Sequence, residues 1–299
     1  MTSTELTAPE QPALRRIFDN RLVRLIAFFF ATILAYAGAQ ILPIVAMPRI
    51  APADRVPAAM AFETGSVLAL LVLYWLLVRS MEHRPALELS LRKAPALIPL
   101  GVLVGAGLFA STIAVLALMG VAYVDGFAPE RSLVAATNMA ILAGVGEELV
   151  FRGALFRICE EMFGTLVALL VSAALFGAIH LANPGATPAS GAAIALEAGL
   201  LLAACYAAAR SLWLPIGLHF GWNFAESGIF GSVVSGNAFK GLFHTTLSGP
   251  ETLTGGRFGP EASAVAVAIC ALAALAFLLV AVRRGEWVGL RVVIRDRSA

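Results

Sequence analysis

Apolar runs of about a bilayer's length recur along this chain, separated by short polar stretches. They predict helices at roughly 25–46, 57–78, 96–122, 132–158, 164–182, 190–209, 212–230 and 261–282. A run of ~20 apolar residues is long enough to cross the hydrocarbon of a membrane as a helix. In lipid the backbone must satisfy its own hydrogen bonds, which leaves helices or closed barrels. The ~10-residue alternating strands of a barrel do not occur. The pattern predicts an all-α fold, a polytopic transmembrane bundle of about eight helices.

The polar residues between the runs sort by side. Arg15, Arg16, Arg21 and Arg24 fall on one side, together with Arg79, Arg84, Arg92, Lys93, Arg152, Arg157, Arg210 and the tail from Arg283. The opposite loops carry fewer and more balanced charges: Arg49, Asp54 and Arg55; Asp125, Glu130 and Arg131; Lys240, Glu251 and Arg257. Basic loops stay in the cytoplasm, so both termini are expected there, in the plasma or inner membrane if the cell is bacterial. This divides the chain into a cytoplasmic segment 1–24, N-terminal membrane helices 25–128, a central core 129–230, an extracytoplasmic loop 231–260, a last membrane helix 261–282 and a cytoplasmic tail 283–299. Ala35-Tyr36-Ala37 resembles a signal-peptidase site, but the apolar run continues through Met47, and the segment is read as an uncleaved first membrane helix. No internal repeat of the kind seen in transporters is visible.

Composition agrees. Of 299 residues 60% are hydrophobic and only 13% charged, about half the charge of a soluble domain. The net charge of +2 is dispersed, which argues against a nucleic-acid partner. Cys159, Cys205 and Cys270 lie far apart with no C-x-x-C, against both a disulfide framework and a cysteine-ligated metal.

Against this background Glu147 and Glu148 stand out, two adjacent carboxylates in the middle of a membrane helix. Each costs at least ~2.5–3.5 kcal/mol near a bilayer centre, so the pair implies a polar, protein-lined cavity. Glu148 and Arg152 are an i, i+4 pair on one face. At 100° per residue, Glu147 is about 140° from Arg152 and free to face the cavity. Gly144 and Gly146 would let a neighbouring helix approach. His180 ends the next predicted helix. With a hairpin tip near Phe163-Gly164, Glu147 and His180 lie ~16 residues to either side of it and so at equal depth. His219 and Asn223, another i, i+4 pair, project an imidazole and a carboxamide from one face of a third helix. Matching these depths sets the cavity in the cytoplasmic half of the membrane, with Asn183–Pro188 forming a loop buried in protein. Among the other polar residues, Glu197 is expected to line the cavity or bond a neighbouring helix, and Asn138 to hydrogen-bond between helices. His83 and His244 are expected in solvent, and Trp75, Trp213, Trp222 and Trp287 in interfacial or packing roles.

Three pieces in this order, Glu147-Glu-x-x-x-Arg152, Phe176-x-x-x-His180 and His219-x-x-x-Asn223, resemble the CPBP (Abi) family of membrane proteases, the type II CAAX prenyl endopeptidase and bacteriocin-processing group. The resemblance spans roughly residues 130–230. It implies an intramembrane endopeptidase in which Glu147 activates water with help from His180. It makes His219 and Asn223 the oxyanion donors, and Glu148 with Arg152 the residues that maintain the site. Substrate-binding residues are not identified. The implied partners are a peptide or lipidated protein substrate, prenylated or bacteriocin-like, and membrane lipid. Glu147, His180 and His219 could instead ligate zinc. However, no H-E-x-x-H occurs, and zinc-free water activation, with no required cofactor, is favoured. The competing readings are a non-catalytic scaffold or bacteriocin-immunity protein and, behind it, a proton-coupled transporter, since intramembrane acids and histidines serve such proteins too.

Overall fold

The structure, a computed structural model, describes residues 18–129 and 133–290. Arg15, Arg16, Glu130, Arg131 and the end of the tail lie outside the described residues. Eight long helices follow one another: α1 (Arg21–Ala46), α2 (Arg55–Met81), α3 (Ala94–Leu118), α4 (Val134–Phe163), α5 (Thr165–Ile179), α6 (Pro188–Ala209), α7 (Trp213–Phe224, extended by a wide turn Ala225–Ile229) and α8 (Ala264–Arg283). Among the described residues seven helical segments, all but α7, are long and apolar enough to cross a membrane. The chain is an integral membrane protein built as an all-α bundle.

Amphipathicity is weak here, because lipid accepts the same side chains as the core. Burial instead follows narrow stripes. On α1 only Phe28, Thr32, Tyr36 and Ala39 are buried, a period of three to four residues that turns one edge inward. The tightest helix pair is α3 with α7, and small residues make it so. A Cβ added at Gly105 would lie 2.0 Å from the Leu218 carbonyl oxygen, and one at Gly101 2.4 Å from that of Leu214. Across the seam, Gly217 and Gly221 stand equally close to the backbones of Ile98 and Val102. Two G-x-x-x-G stretches thus let the backbones touch, and they bracket His219.

Three helices contain a wide, π-helical stretch: Leu149–Phe156 in α4, Ala195–Gly199 in α6 and Ala225–Ile229 after α7. Such turns free carbonyls from the regular ladder. In α4 the Gly153 carbonyl accepts from Arg157 Nε (2.9 Å) and from the Tyr74 hydroxyl (3.1 Å).

One end of the bundle is an ion-pair cluster. Glu82 receives Arg157 at 2.6 Å and Arg84 at 2.6 Å, Glu88 receives Arg84 at 2.8 Å, and Glu161 receives Arg24 at 2.7 Å. Burial pushes the Glu88 carboxyl up, but the Arg84 hydrogen bond and the Arg157 and Arg84 charges outweigh it and hold the pKa below the ordinary value. Arg210 pairs with Glu160 at the same end.

The opposite end holds what the apolar pattern leaves as one long loop. It forms one short antiparallel ribbon of its own, β2 (Val233–Val234) with β3 (Asn237–Ala238), and a second with the segment after α3, β1 (Ala122–Asp125) with β4 (His244–Leu247). Ser235 and Gly236 turn the β2–β3 ribbon with φ of 46° and 82°, the geometry of a tight hairpin turn. His83 and His244 are exposed as expected. The three cysteines are free and buried.

Candidate active site

α4 and α5 form the hairpin anticipated from the sequence, turning at Gly164 with φ of 91°. α7 runs beside α4, and the three helices bring Glu147, His180, His219 and Asn223 onto one cavity of about 580 Å³. Glu148 and Arg152 stand behind it, both fully buried.

Arg152 Nη1 donates to Glu148 Oε1 at 2.8 Å, the i, i+4 pair the spacing implies. The same oxygen lies 3.0 Å from His219 Nδ1. A carboxylate oxygen accepts, so Nδ1 carries the hydrogen and Nε2 faces the cavity. Glu148 therefore orients the imidazole as well as pairing with Arg152, a contact that helical spacing within α4 does not reveal. Arg152 Nη2 reaches across to the Ala198 and Gly199 carbonyls of α6, at 3.1 and 2.9 Å. Its guanidinium also lies over the Phe176 ring, 4.8 Å from the centroid. Phe176 in turn packs against His180 at 4.7 Å and His219 at 6.2 Å. One aromatic ring thus touches the arginine and both histidines, a physical reason for phenylalanine in the second motif.

Glu147 points into the cavity. Its Oε1 accepts the Tyr36 hydroxyl at 2.9 Å. Its Oε2 is buried without a hydrogen-bond partner, 3.9 Å from His219 Nε2. Tyr36 comes from α1, within the tripeptide that looks like a cleavage site. Thr32, Tyr36 and Gln40, one helical turn apart in an otherwise apolar run, are the sequence signal that could have found it. Gly146 makes room for this ring and not for a helix backbone: a Cβ there would lie 2.2 Å from Tyr36 Cδ2. Gly144 does face a helix, with the Ile216 carbonyl 3.2 Å from the same construction.

His180 lines the cavity, but it makes no hydrogen bond or ion pair with either glutamate among the described residues. Its Nδ1 lies 2.7 Å from the Phe176 carbonyl oxygen. A carbonyl only accepts, so Nδ1 carries a hydrogen and Nε2 of the neutral ring is an acceptor. Among the described residues Asn223 Nδ2 has only the Met139 thioether, at 3.9 Å, as a partner. That is a weak acceptor, which a stronger one could displace.

Several expectations need correction. Cavity depth is one: Ser235, Asn237 and Glu261 also line the cavity, so it reaches the loop-rich end and is not confined near the basic one. The cause is the short α5. Its 15 residues rise only about 22 Å, and the β2–β3 turn settles above it, with Gly236 directly on the Pro184 carbonyl. Of the Asn183–Pro188 loop, Asn183 is half-buried at the cavity, while Pro184, Gly185, Thr187 and Pro188 stay exposed. Asn138 makes no hydrogen bond among the described residues; it lines a second, shallower groove with Ile44 and Arg55. Glu197, by contrast, does what was expected of it: it lines the cavity and accepts from Cys270 Sγ of a neighbouring helix at 3.5 Å.

The zinc alternative needs three ligands at one point. Glu147, His180 and His219 do not converge so: no three His, Cys, Asp or Glu side chains among the described residues are arranged to hold a metal ion. As arranged, the donor set does not fit a three-ligand zinc site.

Comparison with curated proteins and with solved structures finds no match. Residues 129–225 match the family model described as Rce1-like, type II CAAX prenyl endopeptidase. That interval contains all three motifs and every residue of the Glu148–Arg152–His219 group. Over this interval, about a third of the chain, the sequence is similar to the type II CAAX prenyl endopeptidase family.

Proposed function

We propose that this protein hydrolyses a peptide bond of a membrane-associated substrate by glutamate-activated water. The observation that carries the reading is the asymmetry of Glu147: one oxygen tied, the other unpaired, facing the cavity and 3.9 Å from an imidazole nitrogen. A water seated at Oε2 gives its proton to the carboxylate as its oxygen attacks the scissile carbonyl. A positioned general base of this kind supplies on the order of 10²–10⁴ in rate. His180 Nε2, an acceptor, can hold the second hydrogen of the same water.

The negative charge that develops on the carbonyl oxygen needs donors, and losing one typically costs ~2.7–4 kcal/mol. The Asn223 amide is one. His219 is the other when both its nitrogens carry hydrogen, with Nδ1–H on Glu148 and Nε2–H toward the oxyanion. Protonated Glu147 then passes its proton to the leaving amine. Nothing in this sequence of steps requires a metal.

The substrate is a peptide or lipidated protein held at the membrane. Ile33, Ile179 and Leu201 give the cavity an apolar wall beside its polar one, which suits a chain carrying aliphatic or lipid groups. A prenylated CAAX terminus and a bacteriocin-like peptide both meet that description. The ion-pair end carries most of the arginines of the described residues, which supports a cytoplasmic position for that end of the bundle.

The test is a comparison of protein termini in membranes holding the wild-type protein with those holding Glu147→Ala. New termini that vanish in the variant support the reading. Turnover retained in Glu147→Ala removes Glu147 from the base role, and biological complementation by that variant favours a scaffold or immunity role.

A further inference from the structure

We infer that Tyr36 is a positioning residue for this reaction, tying one oxygen of Glu147 so that the other is presented to water; the inference rests on the reading of Glu147 as the base. A glutamate carboxyl turns freely about its last bond, with a broad, two-fold preference. Its two oxygens therefore exchange places unless one is held. The Tyr36 hydroxyl, donating to Oε1 at 2.9 Å, makes the one hydrogen bond of the Glu147 carboxylate among the described residues. It has a second effect. Oε2 is 3.9 Å from His219 Nε2, beyond hydrogen-bond reach. Whenever that nitrogen carries hydrogen, as the oxyanion role requires, a carboxylate released from Tyr36 could swing onto it and close the gap. Base and oxyanion donor would then consume each other, and the water position would be lost. The phenol keeps the two groups apart at a distance one water can bridge.

The local sequence is built around this contact. Tyr36 lies on the narrow buried edge of α1, while Leu34 and Ile41 on the same helix are exposed, at 68% and 57%. Its ring lies against Gly146, the residue just before the base, where no side chain would fit. The helix that supplies it lies outside residues 129–225, so the catalytic arrangement extends beyond the family domain.

The test compares full-length wild type, Tyr36→Phe and Glu147→Gln in membranes. Two readouts are taken: the rate at which Glu147-dependent protein termini form, and the infrared carboxylate band that disappears in Glu147→Gln. Phenylalanine keeps the ring against Gly146, so a purely space-filling role predicts no change in either. The expected result is a Tyr36→Phe protein that melts as wild type does, with the Glu147 band shifted and product formation slowed tenfold or more, the range of a hydrogen bond to a charged group. An unmoved band overturns the inference. So does product formation within twofold of wild type while Glu147→Gln is silent. Cleavage by Glu147→Gln at the wild-type rate, or no Glu147-dependent product from wild type, overturns the peptidase reading. The band then still reports whether the contact exists, which separates the two failures.

Discussion

Replacing Gly105 with alanine tests whether the α3–α7 seam sets the catalytic geometry. The new Cβ would stand 2.0 Å from the Leu218 carbonyl oxygen and 2.8 Å from the Trp222 nitrogen, where contacts under 3.0 Å essentially do not occur. Both atoms are backbone, so no side chain can swing aside. The helices must part by about 1 Å, the difference between 3.0 and 2.0. Such overpacking costs roughly 1–3 kcal/mol. Leu218 immediately precedes His219, whose 3.0 Å contact with Glu148 fixes the imidazole. A misplacement of ~1 Å at reacting groups can cost ~10²-fold in rate. Gly107, on the same helix with nothing within 4 Å of its added Cβ, is the control. Thermal unfolding in detergent and the rate of Glu147-dependent product formation are measured for Gly105→Ala and Gly107→Ala. The first should lose both stability and most activity, and the second neither. A Gly105→Ala protein that melts and turns over like Gly107→Ala refutes the seam's role.

Other expected outcomes follow from the buried charges. Arg152→Met leaves the buried Glu148 with His219 as its one remaining partner among the described residues and no fixed positive charge beside it, and strips the Ala198 and Gly199 carbonyls of their donor. It should destabilise by about 3–5 kcal/mol in equilibrium unfolding. Adding Glu148→Leu should recover much of that stability but no activity, because His219 loses its orienting carboxylate; recovered turnover would contradict the assignment. Glu88 has its pKa held below 4.5 in the folded protein. Its contribution is therefore full above that pH and disappears as pH falls through the lower folded value. Glu88→Gln should flatten the loss of stability below pH 4.5 and leave the neutral range with a pH-independent deficit, as read by melting curves. Turnover should survive strong chelators, and loss that zinc alone restores would reinstate a metal.

What the sequence made legible was local. Glu148 with Arg152 and His219 with Asn223 are one-turn pairs, and helix geometry alone puts each on a common face. The Glu147–His180 register followed from a hairpin with one tip. Contacts between distant segments carried no such signal. Tyr36 meets Glu147 across 111 positions, and His219 meets Glu148 across 71; spacing says nothing about either. The glycines of α3 and α7 read as ordinary small residues until their pairing is seen. The wide turns leave no mark in hydropathy, because an extra residue per turn does not alter composition. Residues 231–260 read as plain loop because their ribbons are two to four residues long, too short for alternation to register.

The π-helical stretch of α4 has a consequence for chain length. A five-residue ladder step accommodates one more residue than the regular coil over the same rise. Deleting a single residue between Gly153 and Phe156 would let that stretch tighten into the regular coil and leave the residues beyond it near their present bearing, whereas the same deletion in a regular helix turns every later side chain by ~100°. Arg157 would keep its reach to Glu82, and the Thr165 hydroxyl its reach to Glu160. The wide stretch is therefore the place where α4 should tolerate the loss of one residue that it would not tolerate elsewhere.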